Sequence, residues 1–231
     1  MPSLRVFIWI FFLSLALLAA PHQLCGSTKE VSRVQSATTV LNEIMEVPEN
    51  AVPPSLLNNA RAVVIIPSTL KAGFVIGARY GEGVLVGRNS RGQWGNPLFV
   101  KFFGGSVGWQ IGAQATDVIL VFKTMRGVEA VTSGKFTLGL DASVAAGPVG
   151  RHAEADTDIQ LRVEILSYSR SRGLFAGVAL EGTSLQMNYS ANAAFYGMAG
   201  LLPLQIIESE DLEAPSAALE LRQVLARHAG V

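Results

Sequence analysis

The chain is short of the residues that reactive sites usually need. A single cysteine, Cys25, stands among 231 residues, so no internal disulfide can form even in an oxidising compartment. The three histidines, His22, His152 and His228, are scattered, and with one cysteine they give no metal-ligand spacing and imply no cofactor. Charge is sparse and balanced, with 18 basic residues against 18 acidic ones. A net charge of zero carries none of the basic excess that draws a protein to nucleic acid, and there is no acidic tail. Helical segments of a dozen residues are also missing between the apolar runs in the middle of the chain. That excludes the crossover connections of a parallel sheet. What the chain has in quantity is glycine, 23 residues, in a sequence that is 49% hydrophobic.

Part of that apolar content sits at the start. "MPSLRVFIWIFFLSLALLAA" carries one cation, Arg5, then a run from Val6 to Ala20 that is apolar except for Ser14. The run is shorter than the roughly 20 residues of a membrane span and ends in small residues. It reads as a secretory signal peptide, residues 1–26, with an uncleaved anchor as the alternative. The expected location is therefore periplasmic or secreted. Cys25 follows in "HQLCGS", where a lipoprotein would be cut and acylated. The Gln23 and Leu24 upstream are larger than that signal prefers, which disfavours lipidation at Cys25 without closing it.

Beyond the leader, "STKEVSRVQSATTVLNEIMEV" puts Val31, Val34, Leu41, Ile44 and Met45 on one helical stripe, ended by Pro48, Pro53 and Pro54. The period then changes. "AVVIIP", "AGFVIGARYG", "GVLVGR", "LFVKFF", "VGWQIGAQ" and "DVILVFK" read as six short strands punctuated by Gly, Asn or Pro. "TMRGVEAVTSG" suggests one or two helical turns, followed by strand-like "KFTLGLDASVAAGPVG", "IQLRVEILSYSRS" and "GLFAGVALEG". "ANAAFYGMAG" suggests a short helix, and "APSAALELRQVLARHAG" a closing one with Leu221, Val224 and Leu225 on one face. The fold class that follows is α+β, mainly antiparallel β as a sandwich or barrel-like sheet, with N-terminal and C-terminal flanking helices. One domain over residues 28–210 and a helical tail over 211–231 are expected.

Four patterns invite a chemical reading. Gly104-Gly105-Ser106-Val107-Gly108 is a literal G-x-S-x-G match. A nucleophile elbow, however, needs a helix directly after the serine, and "VGWQIGAQA" is too rich in glycine for one. The histidines available to follow it are His152, in the charged stretch "GRHAEADTD", and His228, in the polar tail. Ser106 is expected to be a close-packed strand or turn residue, and the chain not to be an enzyme. Gly73, Gly77 and Gly81 recur at intervals of four, as do Gly108 and Gly112, or Gly173 and Gly177. On a strand that even spacing lines one face, where another element can approach closely. "GEGVLVG" is no dinucleotide fingerprint, since its third glycine is misplaced and no helix follows. Glu154, Asp156 and Asp158 alternate as a solvated acidic turn would, without an EF-hand pattern for Ca²⁺.

Several long stretches in one order resemble the SYLF domain family, also called the Ysc84-type actin-binding or DUF500 family. They are "ARAVVIIPSTLKAGFVIGARYGEGVLVGR", "GNPLFVKFFGGSVGWQIGAQATDVILVF", "GLDASVAAGPVGRHAEA" and "EILSYSRSRGLFAGVALEG", ending in "ANAAFYG". In that family "GGSVGWQIGAQ" is a signature of the fold with no hydrolase chemistry attached. Eukaryotic members bind phosphoinositides and other anionic lipids, and some bind or bundle actin, usually beside SH3 or FYVE modules. With its export signal, this chain is similar to the bacterial stand-alone type, for which lipid binding transfers better than actin binding. The resemblance thus implies an envelope module binding anionic lipid, or a scaffold with an envelope protein partner. One departure is Asn188, where relatives are expected to carry an acid.

Anionic headgroups call for cations beside apolar surface. Arg170 and Arg172 in "SYSRSRG" would share a strand face, and Lys71 and Arg79 flank the first glycine-rich segment. These four are the candidate lipid-binding residues. Ordinary surface ion pairs are the competing reading for each. The first helix mixes Lys29 and Arg33 with Glu30 and Glu43, so packing on the sheet suits it better than lying on a membrane.

Overall fold

A computed structural model describes residues 27–47, 51–148, 163–171, 174–175 and 180–230. The first helix, α1 (Thr28–Met45), buries Val34, Ala37, Leu41 and Ile44 at the three- and four-residue spacing that its apolar stripe dictates. A short α2 (Pro54–Asn59) follows, with Pro54 in its first turn and Leu57 buried.

Two long strands dominate the rest. β1 (Ala62–Gly87) and β2 (Leu98–Phe122) pair antiparallel along their whole length, joined through residues 88–97. After α3 (Met125–Thr132) come β3 (Lys135–Thr137), β4 (Val144–Ala146), β5 (Ile165–Ser171), β6 (Leu174–Phe175) and β7 (Thr183–Met187). The chain closes with α4 (Tyr189–Tyr196), α5 (Pro203–Glu208) and α6 (Ser216–Ala229). Among the described residues these strands form one seven-stranded sheet in which β2 has two sets of neighbours. Its first part, Val100–Gly104, pairs with β7, which pairs with β3. Its last part, Asp117–Phe122, pairs with β5, which carries β4 and β6. All pairs are antiparallel except β4 with β5.

A straight strand of 26 residues would run about 85 Å, whereas a domain of this size is about 45 Å across. The ribbon therefore has to double back, and glycine lets it. A Cβ built on Gly83 would sit 2.1 Å from the carbonyl oxygen of Ile65 and 2.8 Å from the Cα of Ile66, both in the same strand. One on Gly81 would meet the side chains of Ile66 and Thr69. Hence the two limbs of β1 cross near Ile65–Thr69 and Gly81–Gly83, with backbone against backbone. The expected close approach of another element to a glycine face is the other limb of the same strand. Register shifts between Ile66 and Thr69 and between Gly73 and Val75 supply the bending. At the first of them Ser68 takes a left-handed φ of 52°, and the carboxylate of Asp117 accepts its N–H at 2.9 Å.

The core lies between the doubled sheet and the helices. Ile65, Ile66, Leu85, Phe99, Phe102 and Phe122 are fully buried. Phe99 packs on Phe195 with ring centroids 5.1 Å apart, and Phe195 meets Tyr196 edge-on at 5.0 Å. Tyr196 donates from its buried hydroxyl to the carbonyl of Pro97 at 2.6 Å. α6 buries Leu221, Val224 and Leu225 and packs on α1 and α2. It is part of the core, and a 3.0 Å hydrogen bond between His228 and Asn42 ties its end to α1.

The six short strands expected between Ala62 and Lys123 are two continuous ones, because bulges and glycines bend the ribbon without interrupting its ladder. α2, α5 and β7 are too short for their residue patterns to announce them. β7, "TSLQM", mixes polar and apolar residues yet is buried at Thr183, Ser184 and Leu185 by pairing on both edges.

Candidate functional site

Beyond the crossing point, residues 70–80 of β1 form the far end of the bent ribbon. Leu70 is 58% exposed and Tyr80 48%, and both directly flank the crossing contacts at Thr69 and Gly81. Lys71 follows Leu70, and Arg79 precedes Tyr80. Doubling the strand thus brings two exposed apolar side chains and two cations into one short segment. Lys71 makes no ion pair among the described residues. Burial of part of its stem lowers the pKa of Arg79, which leaves an arginine charged at any physiological pH. The tip is braced at its base, where Glu82 accepts from the Tyr80 hydroxyl at 3.0 Å and pairs with Arg33 of α1. Arg33 lies over the Phe99 ring at 5.7 Å and within 3.7 Å of Glu30. Its side chain is only 10% exposed, so this is a joint between helix and ribbon rather than a docking surface.

Arg170 stands elsewhere and serves a different end. Its guanidinium pairs with Glu43 of α1 and with Asp117 of β2, the latter at 3.2 Å. Burial alone would lower its pKa, but the hydrogen bonds and charges of those two carboxylates outweigh that and raise it. Asp117 also holds the Ser68 N–H, so one carboxylate links the bulge, β5 and, through Arg170, the first helix. Arg172 lies outside the described residues.

Ser106 pairs with Gly77 inside the β1–β2 ladder, and Gly104, Gly105, Val107 and Gly108 pair on either side of it. The strand runs on to Phe122 and the next helix starts at Met125. No elbow exists at this serine. His228 is engaged with Asn42, while His152, Glu154, Asp156, Asp158 and residues 1–26, Cys25 among them, lie outside the described residues. Among the described residues, no three His, Cys, Asp or Glu side chains converge as a metal site, and no helix is long and apolar enough to cross a membrane.

Asn188, the departure noted in the sequence, caps α4. Its side-chain oxygen accepts from the Ala191 N–H at 3.3 Å and from the Ser190 hydroxyl at 2.9 Å, and its own N–H donates to Phe99. Asn and Asp are interchangeable as caps, so an acid here in relatives would do the same work. Nearby, buried Asn192 accepts the Phe99 N–H at 2.8 Å and so fastens α4 to β2.

The serine motif is thus paired within a strand, and the ribbon carries cations and exposed apolar side chains beside its crossing. Residues 103–228 match the family model described as Ysc84, Las17-binding protein actin regulator, and the chain belongs to this family, that of the SYLF domain. It is 31% identical to SH3 domain-containing YSC84-like protein 1 of Xenopus laevis, over 89% of this chain and 61% of that protein. Identity is 38% to SH3 domain-containing protein PJ696.02 of Schizosaccharomyces pombe, over 77% of this chain and 41% of that protein. It is 33% to Protein YSC84 of Saccharomyces cerevisiae, over 89% and 44% respectively. The chain thus spans less than two thirds of the length of these relatives.

Proposed function

We propose that this chain is a non-catalytic binding module whose ligand is an anionic lipid surface, engaged by the tip of the bent ribbon. The observation that carries this reading is the grouping of Leu70, Lys71, Arg79 and Tyr80 where the 70–80 segment leaves the crossing of the doubled strand. Each cation near an anionic membrane contributes about 1 kcal/mol. Completing the burial of Leu70 and Tyr80 adds about 1 kcal/mol apiece. A total of about 4 kcal/mol corresponds to a dissociation constant on the order of 1 mM per tip, weak and reversible. Arg170 contributes less to such a surface, because Glu43 and Asp117 already hold it. Arg172 is a further candidate of the same set. The apolar run Val6–Ala20 supports an exported setting at the cell envelope.

Sedimentation with phosphatidylglycerol vesicles against phosphatidylcholine vesicles, repeated between about 0.05 and 0.5 M salt, tests the reading. Binding restricted to the acidic vesicles and fading with salt is expected. Equal recovery on both compositions removes lipid as the ligand.

A protein partner is the second reading. It is favoured by the family description as a Las17-binding actin regulator and by the exposed Tyr189, Met198, Leu202 and Leu204 around α4 and α5. Crosslinking in cells that recovers one specific protein, with no vesicle binding, supports it.

A further inference from the structure

A second feature lies at the other end of the hairpin. The β1–β2 connection and one face of α6 enclose a cleft of about 520 Å³ lined by Arg88, Arg91, Trp94 and Arg222, with Gln93 and Gln223 beside them. Among the described residues, no aspartate or glutamate lines it. In a chain of zero net charge, three arginines on one cleft stand out.

Their bonding sharpens the point. Arg88 donates to the carbonyls of Leu57, Asn58, Ala60 and Gly92, and its guanidinium lies over the Trp94 ring at 4.2 Å. Arg222 donates from Nε to the Trp94 carbonyl at 2.8 Å and from Nη1 to the Asn96 side chain at 3.2 Å. All of these acceptors are neutral. Among the described residues neither arginine meets a carboxylate, so both charges are fixed in position without a counter-charge. Burial and the nearby charge of Arg61 both lower the pKa of Arg88, as expected of a cation held among cations. Arg91, at the rim, pairs with Glu210, whose side chain is 42% exposed. Arg222 keeps its Nη2 donors, and Gln93 and Gln223 add amides at the cleft.

We propose that this cleft is a binding site for a phosphate-bearing small molecule or headgroup, with Arg222 and Arg91 contacting the anion and Arg88 supplying fixed positive charge. A guanidinium fork matches phosphate oxygens, and the volume lies in the range of small-ligand sites. Arg88 cannot turn toward the ligand, since its hydrogen bonds hold the connection to α2. It acts through its field. The site is separate from the ribbon tip and does not rest on the lipid reading.

The test uses the full chain, titrated calorimetrically with inorganic pyrophosphate and with glycerol 3-phosphate. Two variants accompany it: Gln223→Glu, which adds an acid at an exposed cleft position, and Arg91→Gln, at an exposed pair. Saturable binding of at least one anion, weakened about tenfold in each variant with the unfolding midpoint unchanged, is expected. Lys71→Glu should leave this binding untouched, which separates the cleft from the tip. Phosphatidic acid vesicles that compete with pyrophosphate assign the natural source to a lipid headgroup. Binding of the free anions alone assigns it to a soluble phosphate. No binding of either anion, or affinities unaltered by both variants, overturns the proposal.

Discussion

Replacing Gly83 with alanine tests the doubled ribbon at its tightest point. The new Cβ would lie 2.1 Å from the Ile65 carbonyl oxygen and 2.8 Å from the Ile66 Cα, where ordinary contact begins at 3.4 Å. The obstacle is backbone, and both neighbours are fully buried, so no side chain can swing aside. Relief requires the two limbs of β1 to part by more than an ångström. Overpacking of this kind costs about 3 kcal/mol or more, against a gain of about 0.5–1 kcal/mol from losing a flexible glycine. A net loss of about 2–3 kcal/mol lowers the melting temperature of a domain this size by about 4–12 °C. Gly105→Ala is the control, since its Cβ would meet nothing within 4 Å and should shift stability by no more than about 0.5 kcal/mol. Urea and thermal unfolding of both variants decide the matter. If Gly83→Ala is as mild as Gly105→Ala, the limbs of β1 do not cross as described.

Other perturbations address the joints. Arg170→Ala leaves Glu43 and Asp117 facing each other and should cost about 1 kcal/mol in urea unfolding, since the pair is partly screened by solvent, while vesicle binding stays within about twofold. Asn188→Ala removes the cap of α4 and should cost about 1 kcal/mol, whereas Asn188→Asp should retain wild-type stability in the same assay. His228 has its pKa lowered from 6.5, first by burial and then by the charge of Arg227, so the folded chain favours the neutral ring. The unfolded chain takes up the proton first. Stability tied to this ring is therefore complete above about pH 6.5 and declines as pH falls through the lower folded value. Unfolding midpoints between about pH 5 and 8 should show that decline in the wild type and less of it in His228→Gln.

Local pattern carried the parts of the fold that local physics builds. The stripe Val34, Leu41 and Ile44, and the face Leu221, Val224 and Leu225, are buried as their spacing required. The glycine face was also legible as a site of close approach, but not the identity of what approaches, because Ile65 and Gly83 meet only once the strand has curled. The residue pattern divides β1 at residues 68–71 and at Glu82, and β2 at Gly104–Ser106 and at residues 115–116, yet Glu82, Gly104 and Gly105 pair in mid-ladder with Lys101, Arg79 and Ala78. Arg170 read as a surface cation because Glu43 and Asp117 are distant in sequence. The arginine cleft was invisible for the same reason, with Arg88 and Arg91 brought to Arg222 by the packing of α6. Lys71 and Arg79 were legible as cations beside the glycine-rich segment, and the bend added their exposed apolar neighbours.

Vesicle sedimentation of the wild type beside Lys71→Glu bears on the binding role with the fewest steps between. Reversing one charge at the tip removes about 2 kcal/mol from an anionic surface, or about thirtyfold in affinity. The wild type should partition onto phosphatidylglycerol vesicles and not onto phosphatidylcholine, and the variant should be lost from both. Wild-type recovery that ignores vesicle charge, or a variant that sediments like the wild type, would contradict a lipid-facing ribbon tip.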